Sequence, residues 1–139
     1  NFFSIFGRRY FMNIGQLSKE SGVSSKLIRH YEEIGLIKEA GRSENGYRFY
    51  LEDDIHYLRF IKRSRELGFS LETIKDLLGL WKNKSRSSKQ VKALATKHLS
   101  ELELKLKQIQ DMTNTLKLLI HNCHGDHRPD CPILKKLEN

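Results

Sequence analysis

Arg42-Ser43-Glu44-Asn45-Gly46-Tyr47-Arg48-Phe49-Tyr50, residues 42–50, is the stretch on which the fold turns. Asn45-Gly46 is a strong hairpin signal, because both central residues of a type I′ turn need positive φ. Arg42 and Arg48 flank that turn, with Tyr47 and Tyr50 beside them. A β-hairpin carrying arginines next to a pair of helices reads as a wing whose charges grip phosphates. The competing reading is that Tyr47, Phe49 and Tyr50 only pack the hairpin onto the helices.

Upstream, two short helices are expected. Ile14, Leu17 and Ser18 share one face, and Ser21-Gly22-Val23 then interrupts the pattern, because Gly permits a tight turn. Ser24 is an N-cap for a second helix, in which Leu27, Ile28 and Tyr31 face inward and Lys26, Arg29 and His30 project outward. Two helices joined by a Gly-containing turn fit either a helix-turn-helix or an ordinary αα-hairpin. The winged stretch that follows favours the first. Residues 1–11, before Met12, are read as a tag or upstream extension and set aside from the fold.

Downstream, a third helix is expected from about Glu52 to Leu67, with Ile55, Leu58, Phe60 and Ile61 as core residues. Its late cations, Arg59, Lys62, Arg63 and Arg65, also suit a helix C-terminus. Gly68 ends it, and Ser70 caps a fourth helix carrying Leu71, Ile74, Leu77, Leu78 and Trp81. Residues 12–81 thus form one DNA-binding domain, and the polar run 82–87 is a hinge. From Ser88 to Asn122 the pattern becomes one long helix. Ala95, Leu99, Leu102, Leu106, Ile109, Thr113, Leu116 and Ile120 alternate steps of four and three, an a/d seam over about ten turns. The economical partner for such a seam is the same helix of a second subunit, giving a two-fold homodimer.

Both cysteines follow directly, in Cys123-His124-Gly125-Asp126-His127-Arg128-Pro129-Asp130-Cys131, the start of a loop and tail over 123–139. The spacing is too wide for a Cys-x-x-Cys redox pair but allows one ion to meet both sulfurs. Two thiolates alone suit a soft, low-coordinate ion such as Cu(I) or Ag(I). Structural zinc takes four ligands, which His124 and His127 would complete. A reversible disulfide, and hence a thiol redox sensor, is the reading without metal.

Composition limits the remaining classes. The net charge of +8 favours an anionic partner, but it divides as +2, +3 and +3 over residues 1–11, 12–87 and 88–139. Any basic patch therefore comes from local placement. No run approaches the ~20 apolar residues of a membrane-spanning helix, and the first residues lack a signal-peptide pattern. Two cysteines without a secretory signal point to the cytoplasm. There is no Gly-rich phosphate loop, nucleophile elbow or clear acid/base pair, which argues against an enzyme.

Taken together, these segments resemble the MerR-type transcriptional regulators. The resemblance rests on Asn13-Ile14-Gly15-Gln16-Leu17-Ser18, Ile28-Arg29-His30-Tyr31-Glu32-Glu33-Ile34-Gly35-Leu36, the 42–50 wing, Phe60-Ile61 and Arg65-Glu66-Leu67-Gly68-Phe69-Ser70-Leu71. The tail, closed by Asp130-Cys131-Pro132-Ile133, is similar to that of the CueR-like copper-efflux branch. The resemblance implies a mostly α protein: a winged helix-turn-helix domain, a long antiparallel coiled-coil dimerisation helix and a C-terminal metal-binding loop. It implies one Cu(I), Ag(I) or Au(I) held linearly by Cys123 and Cys131. Divalent-metal branches place a cysteine where this chain has Ser88, at the point that reaches the partner subunit's loop. It further implies a homodimer on double-stranded promoter DNA, with Lys26, Arg29 and Tyr31 in the major groove. Arg42, Asn45, Gly46, Tyr47 and Arg48 would lie on the backbone, and Arg65 would add a phosphate. RNA polymerase would be engaged indirectly, through metal-dependent DNA distortion.

Overall fold

The computed structural model describes residues 2–3, 10–126 and 128–139, with the backbone alone described at 2–3 and 10. The chain divides into two compact units, Asn1–Val91 and Lys92–Asn139. The boundary falls one turn inside the long helix instead of in the expected hinge at 82–87.

The first unit is built from α1 (Ile14–Ser21), α2 (Ser25–Glu33), α3 (Glu52–Glu66), α4 (Leu71–Lys82) and a small antiparallel sheet. Local chemistry sets the helix ends. Asn13 and Gln16 form a reciprocal capping box at α1, and Gly22 closes that helix in the left-handed region at φ 75°. Ser24 accepts from the Leu27 N–H, and Ser70 accepts from the Thr73 N–H, so both serines cap as the sequence predicts. Gly68, at φ 86°, reverses the chain between α3 and α4.

Apolar positions on these helices close over one core. Leu17, Ile28, Leu58, Ile61 and Ile74 are fully buried, with Met12, Tyr31, Tyr50 and Leu78 packed among them. Leu27, expected to face inward, is exposed, because Ile28 and Tyr31 already fill the inner face of the short α2. Phe60 packs at the core edge and stacks on Trp81 with ring centroids 4.7 Å apart.

The sheet runs β1-β2-β4-β3, with β1 (Phe2–Phe3), β2 (Tyr10–Met12), β3 (Gly41–Arg42) and β4 (Arg48–Leu51). This corrects the exclusion of residues 1–11 from the fold. Phe11 pairs with Leu51 and Met12 with Tyr50, and the Phe11 ring stands edge-on to Phe49 at 5.1 Å. Residues 1 and 4–9 lie outside the described residues.

The wing is the β3–β4 hairpin, but its turn differs from the expected type I′. The Gly46 N–H donates to the Ser43 carbonyl and the Ser43 N–H to the Tyr47 carbonyl. Glu44 and Asn45 are therefore the central pair, with Gly46 following at φ 79°. That is the three-residue loop with a glycine bulge, the common alternative to a two-residue turn.

Between α4 and the long helix, residues 83–87 form a tied turn. Asn83 accepts from the Ser85 N–H, and the Arg86 guanidinium donates to the carbonyls of Trp81 and Asn83. Next comes α5 (Ser88–Asn122), 35 residues and roughly 50 Å at 1.5 Å per residue. Ser88 is its first helical residue. In the second unit, Leu99, Leu102, Leu106, Ile109, Leu116 and Ile120 are 41–66% exposed in the single chain. The unit closes with α6 (Pro132–Glu138), whose proline sits at the first helical position. No described helix is long and apolar enough to cross a membrane.

Candidate nucleic-acid interface and metal centre

In the first unit, α2 and the wing line a common polar cleft. Arg29, Arg42 and Arg48 face it, as do Glu32, Glu33 and Glu39. Lys26 and Arg29 are exposed on α2, and Tyr47 is 74% exposed beside the wing turn. Asn45 and Gly46 form the exposed wing tip. Arg42 donates to the Gly46 carbonyl at 3.0 Å, so it clamps the turn that carries the tip. Arg65 is exposed and donates to the Phe69 carbonyl at 3.0 Å, bracing the α3–α4 turn. These exposed residues leave cationic or polar edges available to a nucleic acid.

Tyr31 does not join them. It is 5% exposed and belongs to the core cluster, because it lies one turn after Ile28 on the same face of α2. The structure removes it from the contact set. Arg59 also has an internal role: its guanidinium donates to the Glu20 carbonyl at 2.9 Å, satisfying the end of α1.

Sequence reasoning misses the group at the centre of the cleft. Glu32 is buried on the last turn of α2, where Oε1 accepts the Tyr50 hydroxyl at 2.5 Å and Oε2 accepts the Ala40 N–H at 3.3 Å. Arg48 Nη1 lies 3.8 Å from Oε2. Burial first, then the hydrogen bond and charge of Glu32, push the Tyr50 phenol up to about 12, against a smaller opposing pull from Arg48. Tyr50 is therefore a neutral donor at ordinary pH. Asp54, which accepts from the Leu51 N–H at the start of α3, is likewise raised, chiefly by burial.

In the second unit, the two cysteines come together. Cys123 follows the last turn of α5, its N–H donating to the Ile120 carbonyl, and Cys131 precedes α6. Their sulfurs are 3.7 Å apart, well beyond the ~2.05 Å of a disulfide, so both are free thiols. The Leu134 backbone N–H, helped by the Cys123 thiol and the Ile133 N–H, pulls the Cys131 thiol below its usual range, against a rise from partial burial. Backbone donors at a helix start favour thiolate, the form that binds metal.

The loop between the thiols closes on itself. Arg128 donates from its backbone N–H to Asp126 Oδ1 at 2.9 Å and from Nε to Oδ2 at 2.8 Å. The basic Arg128 is thereby matched by a carboxylate inside the loop. His124 is exposed, and His127 lies outside the described residues. Among the described residues, no group of three or more His, Cys, Asp or Glu side chains converges on a point. The donor set formed by Cys123 and Cys131 fits a soft ion of low coordination number.

Comparison with known proteins places this architecture. A family described as "MerR HTH family regulatory protein" matches residues 12–80, and one described as "MerR, DNA binding" matches residues 55–119. The "Heavy metal-dependent transcription regulator 2" of Rhizobium meliloti (strain 1021) is 59% identical over 128 residues, covering 92% of this chain and 87% of that protein. The chain belongs to the MerR family. This MerR-family chain is also 39% identical over 126 residues to the "HTH-type transcriptional regulator CueR" of Escherichia coli O157:H7, covering 91% and 93% of the two. The lead(II)-bound transcription regulator PbrR691 of Ralstonia metallidurans CH34 superposes with a TM-score of 0.81 at 32% identity, covering 91% of this chain and 98% of that one. MerR-family proteins are helix-turn-helix DNA-binding regulators and not enzymes, so the reader of the first unit and the long helix after it have their expected kind.

Proposed function

We propose that this MerR-family regulator activates metal-efflux or detoxification genes when one soft monovalent ion, Cu(I) foremost and Ag(I) or Au(I) by the same chemistry, joins Cys123 to Cys131. The observation that carries the reading is the 3.7 Å approach of two free thiols at the C-terminal end of α5. Relatives named for heavy-metal dependence, and CueR at 39% identity, support it.

Within the proposal, two copies pair antiparallel along Leu99, Leu102, Leu106, Ile109, Leu116 and Ile120, which removes those exposed apolar side chains from water. Lys26 and Arg29 enter the major groove of double-stranded promoter DNA. Arg42, Asn45, Gly46, Tyr47 and Arg48 hold the backbone around the wing, and Arg65 adds a phosphate contact. A bound ion supplies a cross-link between the residue after α5 and the residue before α6. The protein works in the cytoplasm and reaches RNA polymerase only through the shape of the promoter. For any such switch, the ion must bind one DNA-distorting state better than the other.

Ser88 sets the choice of ion. Two thiolates and one monovalent cation leave a single negative charge, whereas a third thiolate reaching the loop from the partner subunit would raise it and favour a divalent ion. A hydroxyl at that position withholds the third sulfur.

A competition titration against Cu(I) chelators, read with X-ray absorption on the bound ion, tests the site. Two short sulfur scatterers are expected. A shell containing nitrogen would replace this reading with a divalent site using His124 or His127. Induction of the promoter by peroxide alone, in chelated medium, would replace it with a disulfide switch.

A further inference from the structure

The cleft between α2 and the wing holds three carboxylates that the proposed DNA contacts leave unused, and one of them, Glu32, is buried. Arg29, Arg42, Arg48, Glu33 and Glu39 belong to exposed residues, whereas Glu32 is 8% exposed and has both carboxylate oxygens engaged. Its partners are the Tyr50 hydroxyl and Arg48 guanidinium, both from β4, and the Ala40 N–H, at the entry to β3. One side chain from the last turn of α2 therefore ties both sides of the wing to the reading helix.

A buried carboxylate without partners is strongly unfavourable, so this one is retained only with its donors in place. A purely structural tie to a hydroxyl and a backbone N–H needs only a neutral acceptor. What the charge adds is an ion pair with Arg48, at 3.8 Å and without a hydrogen bond. With the Arg48 side chain 46% exposed, the pair draws the guanidinium toward α2 and leaves part of it open to solvent.

We propose that Glu32 is a positioning residue for DNA binding, aiming Arg48 at the DNA backbone. This rests on the reading of Arg48 as a phosphate contact given above. The seat of the effect is the pair, so its consequence for DNA must depend on Arg48 being present.

The test is a double-mutant cycle on the full chain, with operator affinity measured by fluorescence anisotropy across a salt series. Arg48→Ala is expected to reduce the salt slope by about one. Glu32→Gln, nearly the same size, is expected to lower affinity about tenfold when Arg48 is present and by about twofold or less in the Arg48→Ala background. Equal losses in both backgrounds would show that Glu32 acts on the fold alone and would overturn the proposal. An unchanged slope for Arg48→Ala would instead remove the phosphate contact, and the positioning role with it. The two failures are therefore distinguishable. Should Glu32→Gln lose its helical circular dichroism, Tyr50→Phe takes its place in the same cycle. It deletes one donor to the carboxylate and is judged by the same two outcomes.

Discussion

The ring of Phe49 lies directly over Gly41: a Cβ added at Gly41 would come within 2.3–2.8 Å of three ring atoms. The two residues are register partners on β3 and β4, and the Phe11 ring stands edge-on to that of Phe49. Gly41 is thus required by the closeness of an aromatic neighbour. Gly41→Ala is expected to destabilise the first unit by roughly 1–3 kcal/mol, the usual cost of overpacking. Urea denaturation followed by circular dichroism checks this. A midpoint equal to wild type would mean that Phe49 swings aside freely.

Cys123→Ser and Cys131→Ser each remove one of the two sulfurs, both of which belong to the second unit. Both variants are expected to retain operator binding in a gel shift and to lose induction of a promoter fusion by copper or silver. Loss of DNA binding in either single variant would count against a pure sensing role for the loop.

Ser88→Cys adds the sulfur that this chain withholds. Reporter induction is expected to broaden from monovalent ions toward zinc or mercury. If the pattern of induction stays as it was, position 88 does not govern the choice of ion.

Leu106 stands near the middle of the exposed α5 seam, 66% exposed in the single chain. Leu106→Asp would place a charge opposite apolar residues of the second copy, where desolvating it is costly. Light scattering at micromolar concentration is expected to report a monomer. A variant that remains dimeric would move the interface off the seam.

Tyr50 links stability to alkaline pH. Its folded pKa, about 12, is above the ordinary 10.0, so the folded state keeps the proton longer than the unfolded chain. The stabilising contribution is therefore complete below about pH 10 and is lost as pH rises toward 12, by an amount on the order of 2 kcal/mol. Tyr50→Phe lacks this titration. The stability difference between wild type and variant should shrink across that window in urea melts, and a constant difference would contradict the assignment.

The helices are legible in the sequence because their signals are local. Apolar spacing, Ser24 and Ser70 as caps and Gly22 and Gly68 as stops all act within a few residues, and the heptad steps from Ala95 to Ile120 fall inside α5. The strand β2 is not legible. Three residues make too short a pattern, and their partner in β4 lies some forty positions later, so Met12 looks like a beginning while Phe11 is already paired. Asn45-Gly46 announces a hairpin correctly but leaves the turn type open, since the choice depends on which carbonyl meets the Gly46 N–H.

Within the candidate site, exposed cations on α2 and the wing follow from their positions, and so does the burial of Tyr31, which its spacing from Ile28 turns inward. Its groove contact is implied only by the resemblance. Glu32 shows the converse. A glutamate among Arg29, His30 and Glu33 leaves a structural and a contact role open, and its donors at positions 40, 48 and 50 are brought to it only by the closed wing. The thiols are the opposite case, since spacing alone brings them together, while the Arg128–Asp126 clamp between them needs the folded loop.

The three carboxylates that share the cleft with Arg29, Arg42 and Arg48 bear on how such a protein finds its target. Attraction to arbitrary DNA comes from net cationic charge meeting phosphates, and acids set among the cations weaken it everywhere equally. An operator that also offers fitting base edges recovers the deficit, whereas random sequence does not. If the cleft faces DNA as proposed, its mixed charge is expected to shorten dwell times on non-specific sites relative to an all-cationic cleft.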